Sequence, residues 1–258
     1  MFSFITYSEQ NNAAYINLNR PEVYNALTPA LLIELKQAID LANANAEVRV
    51  VVLSGGDCNA FSSGADLKNG LSDTNLGNVL AATYNPLVEA MVALPKPIIC
   101  HLNGLAAGAG MSIALACDMI IADENAYLSE LFVGIGLMPD AGSMYFLPRL
   151  VGIQKAFELC ATGRKVFMPE ALSMGLVTQV HPTATIKAAV DQLVAHFASA
   201  ATYSIGQMKK VLHQSMNSTL TEVLAMESAG QTACGYSADF SEGVMAFITK
   251  RKTEFKGK

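Results

Sequence analysis

The sequence predicts an α/β protein built on repeated strand–strand–helix or strand–helix units and closed by an all-helical region. Three observations carry this. Short apolar runs bounded by glycine-bearing or polar turns alternate with segments of helical periodicity. From Thr185 onward only the helical period remains. The chain has 258 residues and is 52% hydrophobic, enough for a sizeable core. With no low-complexity linker, a boundary near residue 200 divides one compact body: residues 1–200 form the core and 201–258 the helical C-terminal part.

The elements follow in order. Ala14–Asn19 alternates as a half-buried strand. Thr28 and Pro29 then supply an N-cap and a first-turn proline to a helix with apolar positions Leu31, Leu32, Leu35, Ile39 and Leu41. Arg49–Ser54 reads as a buried strand and leads to the glycine-punctuated turn Ala60–Leu67. The polar stretch Gly70–Asn78 is expected as a mobile loop beside that turn, before a helical pattern from Val79 to Leu94 that Pro95-Lys-Pro97 ends. Pro97–Leu102 is a second buried strand, followed by a glycine-rich turn opening into an apolar helix up to Cys117. Asp118–Ala122 and Ala126–Ser129 read as short strands. Gly134–Gly142 is a breaker-rich turn before a helix carrying Met144, Phe146 and Leu147. The tail has helical stretches at 186–200, 206–216, 220–232 and 240–252, the last ending in Lys250-Arg-Lys252.

Composition narrows the function. Only 15% of the residues are charged, against about a quarter in typical domains, so copies of the chain are expected to cover part of its surface. A net charge of −5 gives no overall positive field and argues against nucleic acid as a partner. The longest apolar run, Gly104–Cys117, is too short to span a membrane, and the N-terminal stretch lacks a secretory pattern, so a soluble cytoplasmic protein is expected. Five scattered cysteines read as reduced, buried thiols. The four histidines lack ligand spacing, and no metal is assigned.

Chemistry concentrates at the two glycine turns. A helix start presents unpaired N–H groups, and small residues let a ligand oxygen approach them. Two such turns converging on one oxygen form an oxyanion hole.

Asn19-Arg-Pro-Glu-Val-Tyr-Asn-Ala-Leu27, Ala60-Phe-Ser-Ser-Gly-Ala-Asp-Leu67, Asn103–Gly110 with Ala116-Cys-Asp118, and Gly136–Gly142 with Leu147-Pro-Arg-Leu-Val-Gly152 occur in that order. Together they resemble the crotonase, or enoyl-CoA hydratase/isomerase, superfamily. The resemblance implies a crotonase-like spiral of repeated ββα units with a C-terminal all-helical trimerisation region, and a homotrimer or dimer of trimers. It implies acyl-CoA substrates, with coenzyme A entering as part of the substrate and no permanently bound cofactor. By position it maps the oxyanion amides to Ala65 and Ala109, the adenine seat to the backbone around Ser63, Ala65 and Leu67, and a phosphate contact to Lys250. Family members commonly have glycine where Ala109 stands. For Lys250 there is also a plain reading, a basic helix end complementing the helix dipole.

The departures point to the chemistry. Aligning the motifs places Ser112 and Phe132 where hydratases of the superfamily carry two glutamates, and neither side chain activates a water. Asp140 resembles the catalytic aspartate of isomerase members, especially the epoxyphenylacetyl-CoA isomerase-like group. One carboxylate suffices for a 1,3-proton shift through a thioester enolate. Flanked by Leu137, Met138 and Met144, it is expected in an apolar pocket that raises its pKa. The competing reading is a turn aspartate capping the next helix. Glu130 is a rival acid, expected on a strand with Phe132 on the same face and more readily read as solvated or salt-bridged. Asp66 and Asp118 read as structural, and Met111, Phe132, Met138 and Tyr145 as lining of an acyl channel. The function expected is an enoyl-CoA isomerase, of chain or ring substrates, in fatty acid metabolism. Alternatives are a hydratase, a hydrolase or dehalogenase with Asp140 as nucleophile, and a non-catalytic CoA-thioester-binding protein.

Overall fold

The computed structural model describes residues 2–69 and 75–258, so most of the loop expected at Gly70–Asn78 lies outside the described residues. The strands are β1 (Ile5–Gln10), β2 (Ala13–Leu18), β3 (Val50–Ser54), β4 (Ala60–Ser62), β5 (Ile98–Leu102), β6 (Leu105–Ala107), β7 (Met119–Asp123), β8 (Tyr127–Ser129), β9 (Val166–Phe167) and β10 (Gln179–His181). The helices of the core are α1 (Pro29–Ala44), α2 (Leu76–Val79), α3 (Asn85–Ala93), α4 (Ala109–Leu115), α5 (Ser143–Val151), α6 (Ile153–Thr162) and α7 (Met168–Ser173). After them come α8 (Ile186–Ala198), α9 (Thr202–Ser215), α10 (Leu220–Gly235) and α11 (Ala238–Thr249). A π-helical segment, Leu80–Tyr84, joins α2 to α3.

From β3 to β8 successive strands alternate between two sheets. The larger has the order β1-β2-β3-β5-β7-β10, antiparallel only between β1 and β2. The smaller runs β4-β6-β8-β9, parallel except for β8–β9. Each strand of β3, β5 and β7 is followed by one in the small sheet and then by a helix, so the strand–strand–helix repeat read from the sequence is the architecture. The larger sheet is covered on both faces, which is why its central strands are nearly unbroken apolar runs. Val51, Leu53, Ile98 and Cys100 face the main core. Val50, Val52, Ile99 and Ile121 face a second core roofed by Ile186, Val190 and Val194 of α8.

Helix α1 begins as predicted: Thr28 Oγ1 accepts the Leu31 amide at 3.3 Å, and Pro29 occupies the first turn. Its far end is capped by Lys96, whose Nζ donates to the carbonyls of Ala42, Asn43 and Asn45 at 2.6, 3.2 and 2.7 Å. Two buried cations help to pin the C-terminal helices to the core. Lys209 Nζ donates to the carbonyls of Met91 and Lys96 and pairs with Asp118 Oδ2 at 2.8 Å. Arg49 donates from Nε to Thr202 Oγ1, from Nη1 to the Phe255 carbonyl and from Nη2 to the Ala200 carbonyl.

Several expectations are corrected. Strands β4 and β6 lie inside stretches read as turns, because three residues are too few to display a period. Elements β1, β9, β10, α6 and α7 are not resolved by the pattern either. Leu41 and Met144 are exposed, and α1 buries Ala38 and Ala42 instead.

Candidate active site

The first turn is built by the Asn19–Leu27 motif. Asn25, fully buried with φ +54°, accepts the Arg20 amide and donates from Nδ2 to the carbonyls of Gly55 and Ala60. Ser62 Oγ donates to the Asn25 carbonyl at 2.8 Å, fixing the end of β4. Leu27 and Ala65 then form a lone parallel bridge: the Leu27 amide donates to the Gly64 carbonyl at 2.8 Å and the Asp66 amide to the Leu27 carbonyl at 2.9 Å. Asp66 closes the turn by pairing with Arg20 Nη2 at 3.0 Å and accepting the amides of Lys68 and Asn69. Burial pushes the Asp66 carboxyl up, but these donors outweigh it and hold it below its ordinary value.

The second turn links β6 to α4. Gly108 adopts φ +51° with ψ −132°, a conformation that side chains resist, while its amide donates to the Ser129 carbonyl at 2.8 Å. The two turns touch through their glycines. A methyl on Gly64 (φ +95°) would stand 2.8 Å from the Ala107 carbonyl oxygen and 3.6 Å from the Ala109 nitrogen. One on Gly108 would stand 3.9 Å from Gly64 Cα and equally close to the Phe132 ring. Ala65 and Ala109 each follow one of these glycines. Ala109 is the first residue of α4, so its N–H has no partner within the helix. No acceptor among the described residues takes the Ala65 N–H or the Ala109 N–H.

Asp140 is half-buried in the turn before α5, and its Oδ1 is buried with no hydrogen-bond partner among the described residues. It is not the helix cap: the Ser143 amide donates to the Asp140 backbone carbonyl at 3.0 Å, and no side chain caps α5. Burial pushes its carboxyl up to about 6. The flanking Leu137, Met138 and Met144 are exposed, so the shielding comes from elsewhere. Tyr84, buried in the π segment, lies near enough for the Asp140 charge to push its phenol above the ordinary value, after burial does so first. Glu130 follows β8 rather than lying in it, and Phe132 belongs to the 3₁₀ turn Leu131–Ile135, so strand alternation does not relate them. Nor is Glu130 solvated or salt-bridged. It is 1% exposed and accepts the Ser143 hydroxyl, and burial and then the Asp140 charge push it up to about 7 against that hydrogen bond.

The structure therefore brings Gly64, Gly108 and Phe132 together, and groups Asp140 with Glu130, Ser143 and Tyr84. Asp118 is structural, accepting the Ile98 amide at 2.7 Å as well as Lys209. Ser112 is buried within α4, its hydroxyl on the Gly108 carbonyl. Ser63 spends its amide and hydroxyl on the carbonyls of Tyr24 and Val23, and Leu67 is exposed. Lys250 sits exposed at the left-handed C-cap of α11. Of the residues expected to line the acyl channel, Met111 and Phe132 are buried in the main core, Met138 is exposed, and Tyr145 turns its hydroxyl to the His213 carbonyl with Arg149 over its ring. Tyr84 and Ser143 were missed. Tyr84 has no local signal, whereas Ser143, three residues after Asp140 at a helix start, had one.

Residues 8–258 match the family model described as enoyl-CoA hydratase/isomerase. The chain is 40% identical over 255 residues to "Probable enoyl-CoA hydratase" of Rhodobacter capsulatus, covering 98% of each. It is 34% identical over 263 residues to 1,2-epoxyphenylacetyl-CoA isomerase of Escherichia coli, covering 100% of each. Among solved structures, the enoyl-CoA hydratase of Bacillus anthracis aligns with a TM-score of 0.94 at 32% identity, over 99% of this chain and 100% of that one.

Proposed function

The chain belongs to the enoyl-CoA hydratase/isomerase family, and from that premise we propose that it is an acyl-CoA isomerase that shifts a double bond by a 1,3-proton transfer, with Asp140 as the single base. The observation that carries this is the Asp140 carboxyl: buried at one oxygen, with no hydrogen-bond partner there among the described residues, and pushed up to about 6, where a base works near neutral pH. The positions at which hydratases of the superfamily hold glutamates carry Ser112 and Phe132.

In this reading a 3-enoyl-CoA binds with its thioester oxygen between the amides of Ala65 and Ala109. Asp140 takes the C2 proton, the C2–H electron pair moves into the thioester as an enolate, and the two amides stabilise the oxygen charge. One such donor is worth about 2.7–4 kcal/mol in a measured enzyme. The proton then returns from Asp140 to C4, and the electrons settle as a C2–C3 double bond. Coenzyme A enters only as the carrier of the acyl group, its adenine against the backbone of Ser63, Ala65 and Leu67 and its phosphates near Lys250. The large exposed apolar residues of the C-terminal helices, Tyr236 and Phe247 among them, favour a homotrimer or a dimer of trimers.

The test is turnover of 3-enoyl-CoA in deuterated water, followed by mass spectrometry and NMR. Appearance of the conjugated product with label confined to C2 and C4, and its loss in Asp140→Asn, is the expected outcome. Faster hydration of crotonyl-CoA than isomerisation, or an ester trapped on Asp140, refutes it.

A further inference from the structure

Glu130, just after β8, is a buried acid whose neighbour is Asp140, and the proton shuttle above gives it no part. Its Oε1 accepts the Ser143 hydroxyl, while Oε2 is buried with no partner among the described residues. Asp140 Oδ1 has the same deficit. Both acids are held to one residue, since Ser143 gives its hydroxyl to Glu130 and its amide to the Asp140 carbonyl. The other titratable groups that act on them are Tyr84 from the π segment and Cys160 from α6. Both are neutral acids: burial and then Glu130 push the Cys160 thiol up to about 11. Among the described residues no lysine or arginine pairs with either carboxyl.

Two carboxylates close together in a water-poor site with no paired cation do not both ionise; one keeps its proton. The deeper one keeps it, because desolvation penalises its charge more. Glu130 is 1% exposed and Asp140 half-buried. We infer that Glu130 and Asp140 titrate as one pair that carries a single proton at neutral pH, held on Glu130, which makes Glu130 a positioning residue that leaves Asp140 as the sole base.

The directions of both shifts agree with this. Burial and the Asp140 charge raise Glu130, and burial raises Asp140. The kinetic consequence rests on the isomerase reading. When Asp140 takes the C2 proton, the pair becomes neutral just as the enolate becomes negative, so the buried site holds one negative charge throughout. When Asp140 returns the proton to C4 the pair is again singly protonated, and the Glu130 proton never leaves. Ionising Glu130 as well would set a second negative charge beside the forming enolate, so activity falls at high pH and that limb belongs to Glu130.

The deciding experiment needs no substrate. Infrared difference spectra of the purified protein are recorded across pH and read at the protonated-carboxyl C=O stretch. Most of the 22 Asp and Glu residues are ionised by neutral pH, so a protonated-acid band persisting at pH 6.5 stands out. The expected result is such a band, cut in Glu130→Gln to the minor share that Asp140 holds at this pH. In Asp140→Asn its midpoint falls by about one pH unit, and in Ser143→Ala it rises. No band at pH 6.5, or a midpoint indifferent to Asp140→Asn, overturns the inference whatever the enzyme turns over. Ser143→Ala keeps the test open should Glu130→Gln fold poorly. On the kinetic side, the alkaline limb of kcat vanishes in Glu130→Gln. An unchanged limb removes the kinetic role, and absence of any isomerase turnover removes only the reading on which that role rests.

Discussion

Replacing Asp140 by asparagine should cut turnover sharply while flattening the loss of stability between pH 4 and pH 7. The two readings of this residue predict opposite signs. A capping aspartate has a depressed pKa, so its contribution is present above the unfolded pKa, and removing it costs about 1 kcal/mol near neutral pH. The Asp140 carboxyl is raised instead, from 3.8 to about 6. Its neutral form is favoured in the fold, so the associated stability is complete below pH 3.8 and is lost as pH rises through about 6. Roughly two pH units at about 1.4 kcal/mol each give about 3 kcal/mol, which falls to about 2 kcal/mol once the water still reaching a half-buried carboxyl is allowed for. The assay is urea unfolding of parent and Asp140→Asn at pH 4 and pH 7, with m-values compared. The parent should lose about 2 kcal/mol more over that interval than the variant, while kcat of the variant falls about 10²–10⁴-fold. Equal pH slopes, or a variant that is merely less stable at pH 7, would show that the carboxyl is not desolvated and would end its role as a tuned base.

Three further outcomes follow from the geometry. Gly64→Ala forces a methyl to 2.8 Å from the Ala107 carbonyl at φ +95°, pushing the two oxyanion turns apart; kcat should fall about 10²-fold or more, while circular dichroism melts still report a folded protein. Lys209→Met leaves Asp118 and the Met91 and Lys96 carbonyls without their buried donor, and chemical denaturation should register a loss of about 3–5 kcal/mol. If the C-terminal helices form the subunit contact, Phe247→Asp, at a residue 86% exposed in the single chain, should shift sedimentation toward monomer, and an unchanged sedimentation profile would move the interface elsewhere.

How much of this was legible depended on whether the cause was local. Thr28, Pro29 and the periodic leucines of α1 act within one helix, and the sequence shows them. The glycine turns were visible for the same reason: φ +95° at Gly64 and +51° at Gly108 are demands that glycine meets locally. Strands β4 and β6 were not visible, since each exists only because a neighbour in the small sheet pairs with three residues. Glu130 was misread because its surroundings are distant in sequence: it accepts the hydroxyl of Ser143, 13 residues on, and its charge acts on Cys160 in α6. Tyr84 is the extreme case: only the π segment's packing brings it to Asp140, and no pattern near residue 84 announces it.

The same division governs the chemistry. In the proposed isomerase reading the oxyanion donors are main-chain amides, so the side chain after Gly108 can be alanine without loss of the N–H, and the capacity to stabilise an enolate belongs to the backbone. Proton handling belongs to side chains and changes with single residues: Ser112 lies closed within α4, the Phe132 ring lies against the Gly108 turn, and the acids sit instead at 130 and 140. A water-adding reaction needs a base for the water and an acid for carbon; a double-bond shift needs one group that does both in turn. With Glu130 hydrogen-bonded to Ser143 and buried, the proposed reading leaves Asp140 as the acid that alternates between the two roles, and a one-base reaction is what it predicts for this pair.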